Sequence, residues 1–321
     1  MSVPGSGPDP APDHSLALVR WLLGSGAPPL AVLACRHAPA PRVPADAVGV
    51  VLPGCLDDLD VGLPAQLLAC GVREVRVAPC PEHPAAAEGL ARRWSRTLDG
   101  VTHGDVGAAG RPRRSGTVVA LEDGPPVRAS VSRRGLLGLA RGGEPPFDLS
   151  LDEPGRGIAA LAALRREGRA RASAPSPDTG PSGLPAPDGE APVATLLVAS
   201  GCIACGVCVR GCPHDALHLT EPGTRAGFAV LRHRRADCRG EQECIRLCPE
   251  DALASIGSLS LLDLAASGDV ELTRVETRAC ARCSTPHPAG EGDLCPTCAY
   301  RRAHPFGSVV RAGPRPDPPP T

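Results

Sequence analysis

The sequence predicts an α+β chain of several small modules, and three observations carry that expectation. Short apolar runs alternate with stretches of helical apolar spacing over the first hundred or so residues, the pattern of a small α/β layer with a parallel sheet. A stretch from Ala172 to Pro192 contains six prolines with Ser, Gly and Asp between them, and reads as a linker. Of the 15 cysteines, 11 fall between Cys202 and Cys298 in two dense groups.

A chain of 321 residues has room for two or three domains at about 100–200 residues each. The formal net charge of −1 argues against a general polyanion binder. All 34 basic residues are arginine, and the chain has no Lys and no Asn, a bias of GC-rich coding rather than a signature of phosphate binding. Aromatic residues make up 2%, so cores must be built from Ala, Val and Leu, with little surface on which bases could stack. No apolar run reaches the length of a membrane-spanning helix. Met1 to Asp13 is rich in Pro and Gly and lacks a charged-then-apolar secretory pattern. Ser132-Arg133-Arg134-Gly135-Leu136-Leu137-Gly138 resembles a twin-arginine export motif but lies deep inside the chain. Clustered cysteines without a secretory signal point to metal binding, and the cytoplasm is the expected compartment.

Taken in order, His14 to Leu23 predicts a helix stopped by Gly24, and Leu30 to Cys35 and Ala47 to Leu52 predict strands. Leu63 to Cys70 reads as a helix ended by Gly71, Glu74 to Ala78 as a strand, and Glu82 to Leu98 as a longer helix. Cys35, Cys55 and Cys80 each fall at or just past the end of a predicted strand. In an open parallel sheet those ends converge on the edge where ligands bind. The three thiols are therefore a candidate redox or metal site, against the alternative that each is a small buried hydrophobe; Cys70 is assigned to packing. Beyond Gly104 the pattern weakens. Thr117 to Leu121 predicts a strand and Arg156 to Arg171 a helix, with Arg165, Arg166, Arg169 and Arg171 on a solvated face.

Cys202-Ile-Ala-Cys205-Gly-Val-Cys208-Val-Arg-Gly-Cys212-Pro213 has the spacing C-x2-C-x2-C-x3-C-P, the run that holds iron–sulfur clusters. Three thiolates two residues apart let one tight loop reach three irons of a cubane, while the fourth, displaced by three, points toward a second cluster. Small and apolar residues between them let backbone N–H groups approach the cluster and keep water away. Pro213 suits the first turn of a helix, where a missing N–H costs nothing. Cys212-Pro213-His214-Asp215-Ala216-Leu217 returns as Cys248-Pro249-Glu250-Asp251-Ala252-Leu253. The repeat breaks once, because Glu241 stands where a cysteine is expected between Cys238 and Cys244. A carboxylate is a harder donor than a thiolate. The open outcomes are a four-iron cluster with Glu241 or water on one iron, a three-iron cluster, or a second site lost with Glu241 in solvent; the occupied site is preferred.

Cys280-Ala-Arg-Cys283 and Cys295-Pro-Thr-Cys298 follow a helix expected over Ser258 to Ala266 and a strand over Val270 to Val275. Two C-x2-C knuckles joined by a Gly-containing loop resemble a zinc ribbon, with rubredoxin-type iron as the alternative tenant of four thiolates.

Over about residues 195–256 the chain resembles the two-cluster bacterial ferredoxin family. That resemblance implies crossed ligation, with Cys202, Cys205, Cys208 and Cys248 on one cluster and Cys212, Cys238 and Cys244 on the other. It also implies an electron wire. Residues 28–100 resemble the delta-subunit family of methyl-viologen-reducing hydrogenases at Ala34-Cys35, Pro53-Gly54-Cys55, Ala69-Cys70-Gly71-Val72 and Val77-Ala78-Pro79-Cys80. Here Cys35 is followed by Arg36-His37-Ala38, without the family's second nearby cysteine. This second resemblance implies electron delivery between redox subunits.

The expected organisation is a disordered N-terminus (1–13), a small α/β domain (14–110), a connecting region without clear pattern (111–171) and the linker (172–192). A two-cluster iron–sulfur domain (193–257), a helix with a zinc-ribbon-like module (258–312) and a disordered tail (313–321) complete it. The expected function is non-catalytic electron transfer, as an accessory or linker subunit to a larger oxidoreductase, with two iron–sulfur clusters and zinc. The partner is a redox protein or oxidoreductase complex, with no nucleic acid. Two rivals stand beside it: an enzyme using an open iron or the N-terminal thiols, and a redox-sensing zinc-ribbon interaction protein.

Overall fold

The structure, a computed structural model, describes residues 13–56, 59–104, 116–123, 145–171, 192–220 and 227–305. The expected N-terminal disorder up to residue 12, the twin-arginine-like stretch, the linker over residues 172–191 and the tail from Gly313 lie outside the described residues. The chain divides into two compact units, one within residues 1–196, 235–241 and 255–268, the other within 197–234, 242–254 and 269–321.

The first unit is built on a five-stranded, wholly parallel sheet. Its strands are β1 (Leu30–Cys35), β2 (Ala47–Leu52), β3 (Glu74–Val77), β4 (Val101–His103) and β5 (Thr117–Ala120), in the order β4-β3-β1-β2-β5. Strands covered on both faces must be apolar throughout, and β1 and β2 are buried almost end to end. The chain steps from β1 to β2 on one side, then returns to place β3 on the other side of β1. The crevice at the carboxyl ends of β1 and β3 is therefore the topological switch point, where open α/β sheets bind ligands.

Helix α1 (His14–Ser25) is capped by Asp13, whose carboxylate accepts from the Leu16 N–H at 2.9 Å. It runs through Gly24, the expected stop, and ends at Gly26, which has φ +89°. A glycine is tolerated inside a helix; only one in the left-handed region closes it. Helices α2 (Gly62–Ala69) and α3 (Pro84–Thr97) follow the sequence expectation closely. Helix α4 (Glu153–Arg166) begins ahead of the expected Arg156, because Asp152 accepts from the Gly155 N–H at 3.0 Å and Pro154 occupies the first turn. It also ends five residues early. Arg169 then turns back and donates to the carbonyls of Leu68 and Val72 at 3.0 and 3.2 Å. That corrects part of the expected solvated arginine face: Arg166 and Arg171 are exposed, whereas Arg169 closes the end of α2. A Cβ on Gly157 would sit 3.0 Å from the Gly62 Cα, so α2 and α4 pack with backbone nearly touching.

Strands β6 (Ala194–Ala199) and β9 (Leu253–Leu259) form a two-stranded sheet. The helix expected from Ser258 is α7 (Leu261–Ala266) and starts later, because Ser258 and Leu259 still belong to β9. Its start is set by a reciprocal cap: Ser260 Oγ accepts from the Asp263 N–H, and Asp263 accepts from the Ser260 N–H at 2.9 Å.

The second unit carries short helices α5 (Val207–Gly211) and α6 (Glu243–Arg246) and a four-stranded sheet in the order β11-β10-β8-β7. Its strands are β7 (Leu217–Thr220), β8 (Gly227–His233), β10 (Val270–Ala279) and β11 (Pro286–Pro288), antiparallel throughout. Strand β10 outruns its expected end at Val275 because its last three residues pair with β11. Leu197, Cys208, Leu217, Leu231 and Leu253 form one small core, and Cys280, Cys295 and Cys298 another. Helix α8 (Pro296–Ala303) starts at the second knuckle. No helix among the described residues is long and apolar enough to cross a membrane.

Candidate metal centres

The loop before α5 folds tightly because two of its residues take left-handed backbone, Ala204 (φ 55°) and Gly206 (φ 67°). The second half of the motif repeats this at the matching places, Gly240 (φ 76°) and Gln242 (φ 60°). A third pair, Asp215 and Asp251, both at φ 50°, follows the two Cys-Pro turns. Left-handed backbone is costly outside glycine, so its recurrence marks a backbone that the loop requires. The amide–sulfur bonds recur too: Ala216 N–H donates to Cys212 Sγ at 3.3 Å and Ala252 N–H to Cys248 Sγ at 3.2 Å.

Cys202, Cys205, Cys208 and Cys248 line a single apolar cavity, walled by Ile203, Leu219, Leu231 and Leu253. Burial pushes the Cys208 thiol up to about 11 and raises Cys202 as well. Cys208 is buried, Cys202 and Cys248 are half-buried and Cys205 is exposed; thiols whose pKa burial raises are poor anions by themselves and suit a cationic iron–sulfur core that takes them as thiolates. Among the described residues, these four are not one of the groups that bring three or more ligand atoms within 4.8 Å of one another. Of the other expected ligands, Cys212 and Cys244 belong to the second unit and Cys238 and Glu241 to the first; the three cysteines are half-buried and Glu241 is exposed.

Cys280, Cys283, Cys295 and Cys298 converge much more tightly, with all four sulfurs within 4.8 Å of one another and Cys283 Sγ 3.7 Å from Cys295 Sγ. Zinc–sulfur bonds of about 2.3 Å give a tetrahedral edge of about 3.8 Å, so this set fits one tetrahedral ion. The Cys295 N–H donates to Cys280 Sγ at 3.3 Å and, with the Arg282 and Cys283 amides, pulls that thiol down to about 6. Sequence reasoning missed His287, which is buried between the knuckles. Its Nδ1 lies 2.9 Å from the Arg278 carbonyl and its Nε2 3.0 Å from that of Gly292. Both nitrogens face carbonyls, so His287 ties β10 to the second knuckle rather than ligating metal.

In the first unit Cys35 and Cys80 meet at the switch point with their sulfurs 3.4 Å apart, and Cys55 hydrogen-bonds to Cys80. The three expected thiols are thus neighbours. Cys70 stands apart at the end of α2, its thiol pushed up to about 12 by burial, as a packing residue.

The 4Fe-4S dicluster domain family matches residues 201–252. The methylamine utilization ferredoxin-type protein MauM of Methylorubrum extorquens is 38% identical over 71 residues, covering 21% of this chain and 31% of that protein. The chain thus spans about a third of the length of the curated relative it matches. Residues 201–252 are a ferredoxin-type 4Fe-4S dicluster domain.

Proposed function

We propose that this chain carries single electrons between redox proteins, as an accessory or linker subunit of a larger oxidoreductase in the cytoplasm. The observation that carries the reading is the apolar cavity lined by Cys202, Cys205, Cys208 and Cys248 inside the ferredoxin-type domain. Those four cysteines hold one 4Fe–4S cluster; Cys212, Cys238 and Cys244 hold the second, with Glu241 or water at its fourth corner. When bound, such clusters supply reversible one-electron chemistry. The protein's part is to supply thiolates, exclude water with Leu219, Leu231 and Leu253, and leave Cys205 exposed as an outlet toward a partner. The repeated left-handed positions support retention of the second site despite Glu241. The tetrad Cys280, Cys283, Cys295 and Cys298 holds zinc in a structural or docking role, and residues 28–100, read as similar to hydrogenase delta subunits, take part in delivery between subunits.

The test is iron and sulfide content with a potentiometric titration on protein isolated without oxygen. About seven to eight irons per chain are expected, with reversible reduction and no turnover of small substrates. Cys205→Ser should lose the iron of one cluster and spare the other. Iron near zero after anaerobic reconstitution refutes the assignment.

A further inference from the structure

Three residues that the ferredoxin-type domain leaves unused meet at the switch point of the parallel sheet. Cys35 Sγ, Cys80 Sγ and a ring nitrogen of His37 lie within 4.8 Å of one another, and both cysteines are buried. We propose that they bind one divalent, tetrahedral, zinc-class cation, with Cys55 beside the fourth position.

The sulfur separation of 3.4 Å is close to the edge of about 3.8 Å expected for two thiolates on one zinc. Both sulfurs also receive the backbone donors that a metal knuckle supplies. Cys35 accepts from the N–H groups of His37 and Ala38, two and three residues on, and Cys80 from those of Glu82 and His83. Cys280 in the compact C-terminal tetrad accepts from Arg282 and Cys283 at the same offsets. The third donor is His37. Its Nδ1 is buried with no hydrogen-bond partner, whereas Nε2 accepts from Arg36 Nε at 3.4 Å and lies 3.6 Å from the Glu82 carboxylate. A buried, unpartnered ring nitrogen is costly, and a cation in reach of Cys35 and Cys80 would satisfy it. A metal-bound histidine characteristically gives its other N–H to a carboxylate; binding through Nδ1 would move the ring proton to Nε2, which would turn from the Arg36 donor toward the Glu82 carboxylate 3.6 Å away. Two soft sulfurs and an imidazole select zinc over magnesium or calcium. Binding displaces the two thiol protons to solvent and changes no oxidation state.

The experiment counts metal on the full chain, isolated without oxygen after growth with added zinc. Wild type should carry about one zinc per chain more than His37→Ala or Cys80→Ser, with iron unchanged, whatever the C-terminal tetrad holds. Zinc-edge X-ray absorption should lose its nitrogen shell in His37→Ala. Glu82 is exposed and its replacement leaves the core intact, so Glu82→Gln should weaken this zinc about 10- to 100-fold in chelator competition. Equal zinc in wild type and both ligand variants overturns the proposal. So does iron in place of zinc, or a Cys35–Cys80 disulfide in the anaerobic protein.

Discussion

Asp13 is the most informative single perturbation in the first unit, because one carboxylate does two jobs. It caps α1 through the Leu16 N–H, and both its oxygens accept from Arg156 Nη2 at 2.8 and 2.7 Å. Arg156 is 1% exposed; Nη2 also reaches Ser15 Oγ at 2.9 Å, and its other donors reach the Leu151 carbonyl at 2.6 Å and Gln66 Oε1 at 3.3 Å. Removing one partner of a fully buried pair costs about 3–5 kcal/mol, since the other charge is left uncompensated. Here the Asp13 side chain is 34% exposed, so water replaces part of what is lost, and about 2 kcal/mol is expected for Asp13→Asn. Asparagine caps a helix as well as aspartate does, so this variant isolates the charge. Asp13→Ala should cost about 1 kcal/mol more, the value of the cap. The assay is anaerobic urea denaturation followed by tryptophan fluorescence, which reports this unit alone because Trp21 and Trp94 are the chain's two tryptophans. Burial by itself would raise the Asp13 carboxyl. The Leu16 N–H, the Arg156 guanidinium and the Ser15 hydroxyl outweigh it and hold the carboxyl below its ordinary value. A lowered folded-state pKa contributes stability that is complete above the unfolded value of about 3.9 and fades as pH falls through the folded one. Wild type and Asp13→Asn should therefore differ at pH 7, begin to converge as pH falls below about 4, and meet only below the lowered folded value. A difference under about 0.5 kcal/mol at pH 7, or one that persists unchanged at pH 3, refutes the reasoning.

Two further outcomes are expected in the second unit and the repeat. On the proposed zinc assignment, Cys283→Ser should lose one zinc per chain and loosen β11 and α8 while sparing the iron, because metal binding supplies most of the folding energy of so small a site; zinc content and amide exchange check this. Glu241→Cys should harden the second cluster against oxygen by restoring a thiolate. Electron paramagnetic resonance after brief air exposure should show a three-iron signal in wild type that is absent from the variant, and identical spectra would make Glu241 an ordinary surface carboxylate.

Cysteine spacing and apolar runs were legible in the sequence. The loop from Cys202 to Cys212 and its echo at Cys248 belong to the ferredoxin-type domain, and their left-handed turns follow from short chain separations, so spacing alone expressed them. The apolar runs of β1 and β2 announced a parallel sheet, because burial on both faces leaves no room for polar alternation. Helix ends were less legible, since Gly24 and Gly26 are the same residue type and only the backbone conformation at Gly26 stops α1. What the tertiary structure alone decided is which distant groups meet. Cys35 and Cys80 are 45 residues apart in the chain, and Asp13 and Arg156 are 143 apart. Strand order brings the first pair together, by setting β3 beside β1 at the switch point. Close backbone packing of α2 on α4 buries Arg156. No local spacing encodes such meetings, because they depend on how the whole apolar surface is folded away from water.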